Sequence, residues 1–171
     1  DLLKDIPSVA LPDDHDVYHG NLWGAGGRDA NDGPKTLKQD NGGYTMPPDW
    51  VNMVQRTQTS HLPDPVDPAP VEQGIGVYFT ELVWGGVSFA ILEDRKWKSA
   101  PAIALPDAQI VNGWARNPGW DSSKTGDVPG AELLGARQMA VLGRWADEQA
   151  RDVWMDAVVA QTIFANVATL P

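Results

Sequence analysis

Four consecutive residues, Asp13-Asp14-His15-Asp16, put three carboxylates and an imidazole within one turn of chain. Carboxylate oxygens are hard donors suited to divalent and trivalent cations, and two such ions need several oxygen ligands between them. Imidazole is the side chain that moves protons near neutral pH. The combination suits hydrolysis of a phosphoester, with metal ions acting as Lewis acids and generating hydroxide. The imidazole would steady the phosphoryl group or protonate the leaving oxygen. Side chains diverge at a strand-to-loop corner, so all four cannot face one ion. Asp14 and His15 are therefore expected to serve different halves of a site, one on metal and one on substrate. A solvated acidic turn is the competing reading of the tetrapeptide alone.

The elements that must position the cluster follow from the surrounding pattern. Ile6 to Leu11 is short, apolar and bounded by prolines, which predicts a buried strand ending at the cluster; in α/β proteins sites are built at such strand ends. Gly20 to Gly43 is a long loop rich in Gly, Asn and Asp, from which Asn21 could return to the site. Pro47 and Pro48 open a predicted helix with Trp50, Met53, Val54 and Thr57 at helical spacing. Leu62 to Pro70 holds four prolines and reads as a stiff, extended connection. Val77–Leu82 and Val87–Leu92 flank Trp84-Gly85-Gly86, a hairpin pattern. Pro101 to Gly130 has little periodicity, with a turn at Asn117-Pro118-Gly119. Leu134, Val141, Leu142 and Trp145 share one face of a helix expected from about Glu132 to Gln149. Ala157-Val158-Val159-Ala160 predicts a second buried strand. Alternation of strands, helices and long loops gives an α/β or layered sandwich architecture.

Bulk properties narrow the function classes. The 171 residues suit one domain with a real core, and 42% hydrophobic with 21% charged residues fits a soluble globular chain. No apolar run approaches the roughly 18 residues of a membrane span. The net charge of −10 argues against gripping a nucleic-acid backbone, though not against a phosphate ester held through metal ions. Cysteine is absent, so disulfides and thiolate metal sites are excluded. The chain opens at Asp1 and closes at Pro171 after an apolar stretch, which reads as an internal segment of a longer chain, with a processed mature protein as the alternative.

The segment Pro7-Ser8-Val9-Ala10-Leu11-Pro12-Asp13-Asp14-His15-Asp16-Val17 resembles the Asp-Asp-His-Glu/Asp motif of the alkaline phosphatase D (PhoD-like) family, one of the calcineurin-like metallophosphoesterases. Three further segments agree in order. Ser88 to Arg95 resembles a strand ending in an Asp-x-Arg-like element. Leu133-Leu134-Gly135-Ala136-Arg137-Gln138 with Leu142 and Trp145 resembles the family's Leu-Gly-x-x-Gln…Leu…Trp-Leu helix. Ala157 to Thr162 resembles its following strand. The resemblance implies a layered α-β-β-α sandwich, of which residues 1–171 would be an internal part. It implies Asp14 as a metal ligand, His15 as the histidine contacting the phosphoryl group, and Asp13 as a ligand or an orienting group. Relatives carry an Asn-Asn pair shortly after the motif. Here His19-Gly20-Asn21 stands there, making Asn21 a candidate ligand and His19 a weaker one. The upstream Asp-containing motifs and the downstream Gly-Asp-x-His have no counterpart, so at least half of the metal shell is missing. Also implied are two or more metal ions, iron and calcium among them, a small-molecule phosphate ester as substrate, and a periplasmic or extracellular setting.

Other features carry weaker signals. Trp23, Trp84, Trp114 and Trp120 could line a cleft or stack on a sugar ring, or cover the sheet; Trp23 is the best candidate for a cleft wall and hence substrate binding. Glu93-Asp94-Arg95-Lys96 could bring the Arg95 guanidinium to a phosphate, against the competing reading of an ion pair inside the fold. Asp29-Ala30-Asn31-Asp32-Gly33 starts like an EF-hand loop, but its glycine falls one position early and Asp40 stands where the closing Glu belongs, so a plain turn is expected. His61 reads as a cap or surface residue. The rival function is a non-catalytic binding module, with calcium on the acidic cluster and carbohydrate on the loop tryptophans.

Overall fold

The turn glycines decide the first recognisable element. Gly85 and Gly86 have φ of 58° and 79°, the left-handed pair that a two-residue hairpin loop needs. They join β1 (Thr80–Trp84) to β2 (Val87–Ile91) in antiparallel register, Trp84 opposite Val87 and Thr80 opposite Ile91. A smaller hairpin, β3 (Ile110–Val111) and β4 (Trp114–Ala115), repeats the device with Asn112 and Gly113 at φ 52° and 79°. Asp40 holds that turn by accepting from the backbone N–H of both Asn112 and Gly113, each at 2.8 Å. The fifth strand, β5 (Met155–Val159), pairs in parallel with β2, giving a mixed sheet of order β1-β2-β5. The computed structural model describes residues 4–17, 23–33, 38–148 and 152–162.

Helices are α1 (Asp14–Val17), α2 (Pro48–Thr59), α3 (Pro101–Ala104), α4 (Ser122–Thr125) and α5 (Gly135–Asp147). Pro48 stands in the first turn of α2, where its missing N–H costs nothing. The helix turns Val51 and Val54 inward, whereas Trp50 and Met53 are 40% and 51% exposed, so the apolar face is rotated from the one expected. Two clusters form the core: Val17, Tyr44, Val51 and Ile75; and Val77, Phe79, Trp97 and Val141. Val71 packs against both. Phe79 meets Trp97 edge-on at 5.7 Å, and burying such a ring contributes roughly 1.5–3 kcal/mol. The molecule is thus mixed α/β, with a small mixed sheet and few helices. No described helix is long and apolar enough to cross a membrane.

Two expectations are corrected. Ile6 to Leu11 forms no strand, and residues 6–10 are exposed. Pro7 and Pro12 offer no N–H to a ladder, and side chains tether the segment instead. His61 Nε2 lies 3.2 Å from the Ser8 carbonyl, and Gln161 Nε2 donates to the Pro12 carbonyl at 2.7 Å. The second correction concerns β5. It is a strand, but an uncovered one at the sheet edge, with Met155 45% and Val158 54% exposed. The buried strand of this sheet is β2, read from sequence only as half of a hairpin, which has partners on both sides.

Candidate functional site

Because Ile6–Leu11 is not a strand, the acidic cluster begins a short helix instead of ending a sheet element. Asp13 opens it: its N–H donates to the Asp16 carboxylate at 2.9 Å. Asp14, in the first turn of α1, is buried. His15, next along, has a side chain 76% exposed, with Nε2 3.7 Å from Asp14 Oδ2, too long for a hydrogen bond. Asp14 is thus turned into the fold, and His15 lies at the surface beside it.

Facing the carboxylates is the chain that leaves β2. Arg95 Nε lies 2.5 Å from Asp13 Oδ1 and its Nη2 lies 3.4 Å from Asp14 Oδ1. Its neighbours are anchored. Glu93 is fully buried, pairs with Lys96 at 2.8 Å and accepts from the Tyr78 N–H at 2.7 Å. Asp94, also fully buried, accepts from the Thr162 N–H at 2.7 Å and from its hydroxyl at 2.8 Å. The Asp94 N–H donates to Gln161, whose amide in turn reaches the Pro12 carbonyl. On the other side Gly24, Ala25 and Gly26 donate to the carbonyls of Arg95, Lys98 and Lys96 at 2.8, 3.2 and 2.9 Å. Only glycine fits at 24, because a Cβ there would meet the Arg95 carbonyl oxygen at 2.3 Å.

Lys98 and Trp23 complete the group. Lys98 Nζ sits 4.6 Å above the Trp23 ring and donates to Thr162 Oγ1 at 3.0 Å. Burial, and then the charge of Arg95, lower the Lys98 pKa against the opposing pull of the nearby aspartates. Burial lifts the Asp14 carboxyl above its ordinary value, reinforced by its hydrogen bond with Asp13 and opposed by Arg95. For Asp13 burial is outweighed by the Asp14 backbone and the Arg95 charge, which hold it below the usual range.

Of the residues predicted from sequence, Asp13, Asp14 and Arg95 are in contact, Trp23 joins them through Lys98, and His15 stands at the solvent edge. Asn21 and His19 lie outside the described residues. Glu93 pairs with Lys96 and Arg95 with Asp13, the ion pairs inside the fold that were the competing reading of this segment. Asp29 accepts from the N–H and side-chain amide of Asn31, both at 2.8 Å, a local turn as expected. Lys98 has no sequence signal beyond its position after a strand; Asp94 and Gln161 lie in segments read from sequence, but their clamping bonds do not show there. Among the described residues no three His, Asp or Glu side chains form a group that could hold a metal ion. Asp13 and Asp14 alone, both on Arg95, fall short of the six or more oxygens a hard divalent cation takes. A pocket of about 620 Å³ lined by Asp107, Gln109, Asn117, Trp120, Asp121 and Lys124 shares no residue with this cluster. No family model, curated protein or solved structure matches the chain.

Proposed function

We propose that the chain carries part of the active site of a PhoD-like, metal-dependent phosphoester hydrolase built as a layered sandwich. One observation supports this reading above the rest. Four segments far apart in sequence are stitched together past the ends of the parallel strands β2 and β5. Pro12–His15 joins Gln161, Gln161 and Thr162 join Asp94, and the Glu93 backbone joins Gln138. These are the segments whose residues resemble the family, and they meet where α/β proteins build sites.

In this reading Asp14, buried beside Arg95, faces the metal centre, and His15 projects its imidazole to the incoming ester. There it donates to the phosphoryl oxygens or to the leaving oxygen. Arg95, Lys98 and the Trp23 ring form the wall beside it. The described carboxylates do not make a metal shell, so further donors are required. A chromogenic phosphodiester and monoester test the reading. His15→Ala is expected to lower turnover by about 10²–10⁴-fold with metal content retained. Asp14→Asn should be milder than Asp14→Ala, because an amide oxygen still ligates. Undiminished turnover in both alanine variants refutes the site.

The alternative, a carbohydrate-binding module, draws support from the Trp120 pocket, where an aromatic face stands among amide and carboxylate groups. Glycan binding that is lost in Trp120→Ala, with no esterase activity in the parent, would favour it.

A further inference from the structure

A guanidinium stands where the phosphoesterase reading wants a metal ion. Arg95 reaches Asp13 at 2.5 Å and Asp14 at 3.4 Å, and its side chain is only 15% exposed. Its backbone is anchored. The Arg95 carbonyl accepts from the Gly24 N–H at 2.8 Å, and Asp94 and Lys96 on either side are buried. We propose that Arg95 is the resident counter-cation of the Asp13–Asp14 pair, so that a divalent cation gains these carboxylates only by displacing the Arg95 side chain.

The chemistry follows from the ionisation states. Arginine stays charged at any working pH, so the competition cannot be relieved by deprotonation. A divalent ion placed on both carboxylates would sit against a like charge within contact range, in a partly buried setting where such repulsion is poorly screened. Lys98 adds a second positive charge close enough to act on Asp13 and Asp14. The guanidinium can leave only by rotating about its side-chain bonds, and the cation's affinity is reduced by whatever holds it. Arg95 thereby sets the metal affinity of the pair. The inference takes from the phosphoesterase reading only the candidacy of these carboxylates as ligands.

Calorimetric titration of the chain with Mn²⁺ tests it. Arg95→Met, which keeps much of the stem and removes the charge, is expected to bind Mn²⁺ at least tenfold more tightly than the parent. Asp14→Asn added to Arg95→Met should abolish the gain and so locate it. If Arg95→Met does not fold, Arg95→Lys keeps the charge on a shorter reach, and a smaller gain is expected. Equal or weaker Mn²⁺ binding in the folded variant overturns the proposal. No ester enters this titration. Loss of the phosphoesterase reading would show in the His15 and Asp14 turnover assays while leaving the Mn²⁺ gain intact.

Discussion

Gln138 offers the sharpest test of how the site is held. It is fully buried on α5 and binds the backbone on both sides of Glu93. The Glu93 N–H donates to Gln138 Oε1 at 2.8 Å, and Gln138 Nε2 donates to the carbonyls of Glu93 and Leu134, each at 2.8 Å. Gln138→Met nearly conserves shape, so little cavity is created and the change isolates the hydrogen bonds. It leaves the Glu93 N–H and C=O without these partners in a dry setting. Each orphaned group costs roughly 1–3 kcal/mol, and partial relaxation gives an expected loss of about 2–4 kcal/mol. For a chain of this size that corresponds to a fall in Tm of roughly 5–15 °C. Urea unfolding followed by tryptophan fluorescence and by circular dichroism reads the loss directly. A second consequence separates this account from general damage. Glu93 precedes the Asp94-Arg95 pair, so loosening it should also weaken the energetic coupling between Arg95 and Asp13 in a double-mutant cycle. A loss below about 1 kcal/mol with that coupling intact refutes the argument that Gln138 fixes the exit of β2.

Three other outcomes follow from the same contacts. Lys96→Met leaves Glu93 buried without its cation and should cost about 3–5 kcal/mol near neutral pH. Burial already raises the Glu93 pKa against the opposing charge of Lys96, so its loss raises it further. A raised carboxyl pKa favours the fold at low pH and penalises it as pH rises, so the deficit should shrink on acidification from pH 7 to 5; urea midpoints at both pH values check this, and a growing deficit contradicts it. Asp14→Asn should raise the urea midpoint at pH 7, because burial and Asp13 hold the Asp14 carboxyl above its ordinary 3.8 and its ionisation opposes folding. The gain should vanish below that value, where the acid is protonated in both states. Gly24→Ala drives a methyl onto the Arg95 carbonyl and the Lys96 Cα, at 2.3 and 2.5 Å, and should destabilise by about 1–3 kcal/mol; an unchanged midpoint would mean the loop lies elsewhere.

What the sequence disclosed depended on how local each signal was. The Gly85-Gly86 hairpin and the Pro48 helix start were readable because backbone constraint at one or two residues decides them. Burial was not. Ala157–Ala160 has the composition of a central strand, yet β5 lies at the edge, since pairing order comes from a crossover of some sixty residues and leaves no periodic trace. The apolar run Ile6–Leu11 failed for a related reason: hydrophobicity suggested a ladder that two prolines could not join. For the site, Asp13, Asp14 and Arg95 were identifiable one by one, but their contact was not. Lys98 stood in no motif, and Gln161 lay in a strand-like segment that gave no hint of its partners; only the folded chain brings them to the cluster.

The register of β5 on β2 explains why these residues meet at all. Ile91 pairs with Val159, so the residues just beyond each strand emerge side by side. The ladder continues one step in the Leu92 N–H to Val159 carbonyl bond of 2.8 Å. Three residues past Ile91 comes Asp94 and three past Val159 comes Thr162, which brings carboxylate to hydroxyl and N–H at 2.8 and 2.7 Å. A slip of one residue would carry Thr162 about 3.3 Å along the strand and turn β5's side chains to the opposite face. Neither Asp94 bond would survive, and Gln161 would no longer span from the Asp94 N–H to the Pro12 carbonyl. An exposed five-residue edge strand has little apolar burial with which to resist such a slip. The polar clamp of Asp94, Gln161 and Thr162 supplies the discrimination, because a slipped register would leave the fully buried Asp94 carboxylate without its donors. The group that positions Arg95 is thus also the group that selects the pairing of the strands.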